Sequence, residues 1–341
     1  MGIKLDELCK NFNKKYKETL VQKGLTEYNY QRIPFTSPRL NYMTFGGIPI
    51  GKLVEFYGEE HGGKTTTALD IVANYQKMEN AREVLYADCE NTLDTEWAEK
   101  LGVDVDSMTI LKPTSQGAED LFDFISAAMD TGEIGLVVID SLGVMLSNQA
   151  MEKDIAEKTY GGIAMALTNF SKRAEGICQR HKCTVIGINQ MRDDLGNPYG
   201  GTTTTGGKAW KHNCIARLEF RKGKYIDERG NELNSRAESP CGNLVQVSMT
   251  KNKSCPPTRR LGYYTLKYDT GIDYLADLVE LAIKFGAINK SGAWFDIIDI
   301  STGEIIEGKI HGQSNVLDYL KENKSVLDMI DSTVNKLIKE N

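Results

Sequence analysis

Short apolar runs alternate with amphipathic stretches through the middle of the chain. The runs at 53–57, 83–87, 109–111, 136–139 and 184–188 predict strands. Between them, helical stretches are predicted at about 64–80, 94–101, 116–131 and 164–181. Strands alternating with helices imply an α/β fold with a mainly parallel, twisted sheet flanked by helices. After Lys208 the pattern becomes strand-rich, at 215–221, 244–250 and 263–268. These strands are expected to extend the sheet in antiparallel fashion, with a hairpin around Asp227–Gly230. From Ile272 a short helix, a strand pair near 294–306 and a terminal helix from about Val316 predict a small C-terminal α/β domain.

At the other end, Leu5, Leu8, Phe12, Tyr16 and Leu20 form a stripe that reads as an amphipathic helix over 4–20. It either packs on its own core or docks as an arm on a neighbouring subunit. Gly24–Pro38 reads as a linker. The expected division is an N-terminal helix and linker at 1–34, a core at 35–270 and a small domain at 271–341.

Composition narrows the class. Of the 341 residues, 40% are apolar and 26% charged, which excludes disordered, collagen-like and coiled-coil chains. The longest apolar run, 135–146, is interrupted by Asp140 and is too short for a bilayer core of ~30 Å. The first residues lack the continuous apolar stretch of a secretory signal, so neither membrane nor export is expected. Seven scattered cysteines without a CxxC pair fit a reducing, cytoplasmic setting. The nearest approach to a metal cluster, Cys178, His181 and Cys183, has no second half and reads as a helix running into a strand. A net charge of −6 argues against a uniformly basic nucleic-acid binder and leaves room for a local basic groove.

The chemistry concentrates in a few motifs. Gly58-Glu59-Glu60-His61-Gly62-Gly63-Lys64-Thr65 fits GxxxxGK[ST] between an apolar strand and a helix. In such a loop, backbone N–H groups curl around phosphates, the lysine meets the β- and γ-phosphates and the threonine hydroxyl ligates Mg²⁺. The strand 136–139 ends in Asp140, either a helix cap or, beside a phosphate loop, an acid of the Mg²⁺ shell. Glu90 is the candidate to polarise an attacking water; Asp88 and Asp94 compete for that role, Asp88 being better suited to structure or the metal shell. Asn189-Gln190-Met191-Arg192 leads into a long loop rich in glycine and threonine, 196–207, followed by Lys208 and Lys211. Gln190 is placed to sense a γ-phosphate. The loop is either a grip on a nucleic-acid backbone or a disordered surface loop. Lys251, Lys253, Arg259 and Arg260 form a second basic cluster that reads by itself as a solvated face.

Taken in order, these motifs resemble the RecA family of ATP-dependent DNA strand-exchange proteins. The resemblance runs from about Phe35 onward through FYGEEHGGKTT, ADCENTLDTEWAEKLGVD, VVIDSLGVML, INQMRDDLGNP, TTTTGGKAWK, TKNK and GAWF. It implies a RecA-type P-loop NTPase core, with ATP and Mg²⁺ as cofactors. Gly58 to Thr66 would hold the nucleotide, with Lys64 catalytic and Thr65 and Asp140 on the metal. Glu90 would be the catalytic carboxylate and Gln190 the amide coupling ATP to DNA. Asp94 and Trp97 would contact adenine, Trp97 standing where the family commonly has tyrosine. The resemblance also recasts Lys251 and Lys253 as lysines that reach ATP on the adjacent subunit. The first DNA loop would be 148–163, with Gly161 and Gly162. The second would be 191–207, with Arg192, Gly200, Gly201, Thr203, Thr204, Thr205, Gly206 and Gly207, continued by Lys208.

The chain departs from the family in four places. Before Phe35 it resembles the family only in being helical, the first loop lacks the usual acidic-glycine wording, Asp193-Asp194 add negative charge to the second, and an acidic C-terminal tail is missing. Such divergence suggests a phage-encoded or otherwise distant member. The implied function is a DNA-dependent ATPase that forms helical filaments on single-stranded DNA and exchanges strands with homologous double-stranded DNA. Single-strand-binding and mediator proteins are expected partners. The competing expectations are a ring motor such as a hexameric helicase and a non-hydrolysing, ATP-switched DNA-coating protein. A small-molecule kinase is a more remote one.

Overall fold

A computed structural model describes residues 4–16, 21, 30–152, 162–193 and 201–340. The first elements are α1 (Leu5–Tyr16), β1 (Arg32–Ile33), α2 (Pro38–Thr44) and β2 (Ile48–Pro49). There follow β3 (Leu53–Gly58), α3 (Lys64–Gln76), β4 (Glu83–Asp88), α4 (Thr95–Lys100) and β5 (Met108–Leu111). Next come α5 (Ala118–Asp130), β6 (Ile134–Asp140), α6 (Asn148–Glu152), α7 (Gly162–His181) and β7 (Thr184–Asp193). After these lie β8 (Thr202–Thr204), α8 (Gly207–Asn213), β9 (Ala216–Ile226), β10 (Gly242–Asn252), β11 (Leu261–Lys267) and β12 (Gly271–Ile272). The chain ends with α9 (Tyr274–Phe285), β13 (Ile288–Ser291), β14 (Trp294–Ile298), β15 (Ile305–His311), α10 (Gln313–Glu322) and α11 (Lys324–Glu340).

The central sheet runs β12-β11-β10-β9-β3-β7-β6-β4-β5, with β8 paired to the outer end of β7. The strands from β9 to β5 are parallel to their neighbours; β10, β11 and β12 add antiparallel strands. The pleat sorts the core. Leu85 and Ala87 of β4, Val137 and Ile139 of β6 and Val185 of β7 face α5 and α7, where Phe122 stacks on Phe170 at 4.6 Å. Helix α3 stands outside that cluster and packs against β3, β6 and β7. Parallel strands covered on both faces read as continuous apolar runs, and every residue of β6 is buried.

Two expectations need correction in this region. The strand near 215–221 does not begin the antiparallel extension. It is β9, which lies parallel to β3, and the reversal comes one strand later at β10. The predicted linker is also shorter than expected, because β1 pairs with β2 and Pro38 opens α2, capped by the Ser37 hydroxyl. Of the expected N-terminal helix, 5–16 are helical and Leu20 lies outside the described residues. Residues 1–31 form a unit of their own, in which Leu5, Leu8, Phe12 and Tyr16 are all exposed.

Near the C-terminus, a three-stranded antiparallel sheet, β13-β14-β15, replaces the predicted strand pair. The predicted terminal helix is two helices broken at Asn323. They enclose a second core of Leu278, Leu281, Ile288, Phe295, Ile297, Val316, Leu320, Ile330 and Val334. A buried polar junction ties α2, β11 and α9 together. Asp277 accepts the Ser37 hydroxyl and the Thr265 N–H at 3.0 Å, with Arg39 at 3.9 Å. Among the described residues no helix is long and apolar enough to cross a membrane.

Candidate nucleotide and nucleic-acid site

The apolar strand β3 delivers the chain into the loop 58–63, and α3 begins at Lys64. Two glycines are demanded by the turn. Gly58 has φ +152° and a Cβ there would fall 2.0 Å from the Phe220 carbonyl oxygen; Gly63 has φ +91° and a Cβ would meet the Tyr264 hydroxyl at 2.6 Å. Lys64 is 8% exposed, and its ammonium donates to the carbonyls of Gly58 at 3.2 Å and Glu59 at 2.6 Å. Burial lowers its pKa, while Asp140 and Glu90 pull it back toward the charged form. A cation at the mouth of a loop that opens a helix N-terminus is an anion site.

The three parallel strands beside the loop each end in a polar group. Asp140, at the end of β6, accepts the Thr65 hydroxyl at 2.8 Å and the Tyr86 hydroxyl at 2.9 Å on the same oxygen, Oδ2. Burial pushes its carboxyl up, and these two hydrogen bonds hold it down. Thr65 and Asp140 are hard oxygen donors side by side, a set that suits Mg²⁺. Glu90, just past β4, accepts the Ser141 hydroxyl at 2.5 Å and the Gln190 amide at 3.3 Å. Asp88 is buried and its two oxygens take the backbone N–H groups of Thr92 and Leu93, which shapes the turn carrying Glu90. Asp94 is likewise occupied in structure, capping α4 by accepting the Trp97 N–H at 3.0 Å. The Trp97 indole N–H reaches the Thr66 hydroxyl at 3.5 Å, beside the loop.

A cleft of about 510 Å³ opens from the loop residues His61 to Thr66 toward the antiparallel strands. Its far wall is Lys222 and Tyr225 of β9, Asn243 of β10, and Leu266 and Tyr268 at the end of β11. The Lys222 ammonium donates to the Tyr225 hydroxyl at 3.0 Å, and Tyr268 donates to Asn243 at 2.9 Å. Sequence reading missed this wall. Its residues come from three strands and carry no common motif; the only signal is lysine and tyrosine recurring near strand ends.

Strand β7 does not stop at the amide pair. It runs on to Asp193 and pairs with β8, matching Met191 with Thr204 and Arg192 with Thr203. Thr202–Thr204 therefore form a hairpin stem with the end of β7, and Asp194 to Gly200 lie outside the described residues. Gly201, Gly207, Lys208 and Arg192 are exposed, and Arg192 donates to the Gly143 carbonyl at 2.8 Å. Thr203 and Thr205 are half-buried, Thr203 accepting Lys211 at 2.6 Å. Thr204 and Gly206 face inward. Thr204 is 5% exposed and accepts Arg217 at 3.2 Å, and Gly206 packs so tightly on Leu167 that a Cβ would lie 2.2 Å from it. In the first loop Gly162 opens α7 and is half-buried; Gly161, with 153–160, lies outside the described residues.

The hairpin is anchored inward by Asn189, which donates to Glu55 at 2.9 Å and to the Thr205 carbonyl at 2.8 Å. Arg217 bonds the other Glu55 oxygen. Lys251 and Lys253 are not near the chain's own phosphate loop. Asn252 pairs with Ala216, which pairs with Val54 at the start of β3, whereas the loop follows Gly58 at its end. The Lys251 ammonium instead donates to the Lys211 and His212 carbonyls at 2.7 and 2.6 Å, and Lys253 is exposed.

Fold and loop together define a phosphate-loop nucleotide-binding protein of the α/β class. A family model described as the RecA N-terminal domain matches residues 3–273, and one for the RecA C-terminal domain matches 276–339. The first match reaches well upstream of Phe35, where the motif resemblance begins. The chain is 32% identical to Protein RecA of Petrotoga mobilis over 337 residues, covering 97% of this chain and 88% of that one. It is 33% identical to Protein RecA of Chlorobaculum tepidum over 310 residues, covering 90% and 84%. With Protein RecA of Ruminococcus albus it shares 31% over 306 residues, covering 89% and 72%. The chain belongs to the RecA family. Membership places it among DNA recombination and repair proteins that bind nucleotide.

Proposed function

We propose that this chain is a DNA-dependent ATPase that assembles on single-stranded DNA as a helical filament and drives homologous pairing and strand exchange. The observation that carries the reading is the Glu90–Gln190 hydrogen bond. It joins the carboxylate suited to polarise water to the strand that continues into the glycine-threonine hairpin. A γ-phosphate arriving at the loop competes for the Gln190 amide, and displacing that amide moves the stem of the hairpin. The backbone N–H groups of 58–66 and the Lys64 ammonium hold the phosphates, and Trp97 and the Lys222–Tyr268 wall flank the nucleoside. Thr65 and Asp140 would hold Mg²⁺, which neutralises phosphate charge when bound.

Lys251 and Lys253, lying at the far end of the strands, are assigned to the ATP of the neighbouring subunit. Such a head-to-tail contact extends without closing and makes a filament. The exposed stripe of α1 is assigned to the same interface, and the division at 1–34, 35–270 and 271–341 follows these roles. Arg192, Gly201, Thr203, Gly207 and Lys208 are assigned to DNA, gripping the backbone without reading bases.

The test is strand exchange between circular single-stranded DNA and a homologous linear duplex, with electron microscopy of the assemblies. Joint molecules and open filaments that require ATP, and that Lys64→Ala abolishes, support the reading. Closed rings that unwind duplex instead would make the protein a ring motor.

A further inference from the structure

The oxygen of Asp140 that accepts Thr65 is held from beneath by a buried tyrosine. Tyr86 lies in β4, is 1% exposed, and sits level with Val138, two positions before the Asp88–Asp140 pair at the strand ends. Its neighbours Leu85 and Ala87 point to the opposite face, into the α5–α7 core, so the pleat turns the phenol toward the α3 side. From there its hydroxyl donates to Asp140 Oδ2 at 2.9 Å, and Thr65, in the first turn of α3, donates to the same atom at 2.8 Å.

Two donors converging on one oxygen fix the rotation of the carboxylate. They leave Oδ1 outside this pair of bonds, and a threonine hydroxyl that gives its proton to Asp140 keeps its lone pairs for a cation. A phenylalanine at position 86 would fill the same space and leave Oδ2 to Thr65 alone. We propose that Tyr86 is a positioning residue for the Mg²⁺–nucleotide site, its hydroxyl setting the orientation in which Asp140 and Thr65 together receive the cation. The proposal rests on assigning Thr65 and Asp140 to Mg²⁺.

The experiment is binding of a fluorescent ATP analogue to the full chain without DNA, in EDTA and across a Mg²⁺ titration. Tyr86→Phe should leave binding in EDTA unchanged and raise the Mg²⁺ concentration at half-effect by roughly 10- to 100-fold, as loss of an outer-shell partner does. A Tyr86→Phe chain with the parent's Mg²⁺ dependence overturns the proposal, even where its urea midpoint falls. Equal loss of binding with and without Mg²⁺ also overturns it, because that is a packing effect. Asp140→Asn separates the two levels of the claim. If Asp140→Asn loses the Mg²⁺ effect and Tyr86→Phe keeps it, only the tyrosine's role is wrong. If Asp140→Asn keeps it, the Mg²⁺ assignment itself fails.

Discussion

The side-chain amide of Gln190 lies 3.3 Å from Glu90 Oε1, the oxygen that also takes the Ser141 hydroxyl at 2.5 Å. Glu90 follows β4, Ser141 follows β6 and Gln190 sits in β7, so one carboxylate oxygen gathers the outer ends of the three central strands. A carboxylate bridged in this way has a fixed direction, and a change in any one of its partners reaches the other two.

The placement of Lys251 predicts complementation between two inactive proteins. Lys64→Ala removes the cation of the chain's own loop, and Lys251→Ala removes the one assigned to the neighbour's ATP. Each variant alone should have negligible ATP turnover on single-stranded DNA. Their mixture should regain part of it, from interfaces where an intact loop faces an intact lysine. A mixture as inactive as its parts would assign Lys251 to the α8 carbonyls alone.

Asp277 predicts a pH dependence of stability. Burial raises its carboxyl from an ordinary value of 3.8 to about 7, against the opposing pull of Ser37 and Arg39. The folded chain therefore holds a proton that the unfolded chain releases. The stabilisation is complete below about pH 4 and is lost as the pH climbs through about 7. Asp70, pushed up to about 6 by burial, acts in the same direction. Asp277→Asn should flatten the fall in urea midpoint over that window. An unchanged slope would show that the junction of α2, β11 and α9 does not bind the proton.

The anchor of the hairpin predicts a large cost at Glu55. It is fully buried, bonded to Arg217 on one oxygen and Asn189 on the other. Removing one partner of a buried pair leaves an uncompensated charge, so Glu55→Ala should cost roughly 3–5 kcal/mol in urea unfolding. Arg217→Met should partly restore it in the double variant, by removing that charge. A double variant no more stable than the single one would refute the charge explanation.

The order of the central strands' chemistry was legible because each motif is local. The loop after β3, Asp140 at the end of β6 and Gln190 in β7 follow from apolar runs and the residues that end them. The hairpin stem β7–β8 was not legible, because Met191-Arg192-Asp193 lacks the alternation of a half-buried strand and owes its extension to pairing with Thr202–Thr204. Helix α2 was not predicted, although Ser37-Pro38 is a start signal, because seven residues give too little periodicity to read. The cleft wall of Lys222, Tyr225, Asn243 and Tyr268 is assembled by an antiparallel register that no one segment announces.

The central claim is that the Glu90–Gln190 contact couples hydrolysis to DNA, and ATP turnover measured with and without single-stranded DNA tests it most directly. The parent should be strongly stimulated by DNA, and Glu90→Gln should be inactive under both conditions. Gln190→Ala should bind ATP normally yet show the same low rate with and without DNA. Full DNA stimulation in Gln190→Ala would contradict the account.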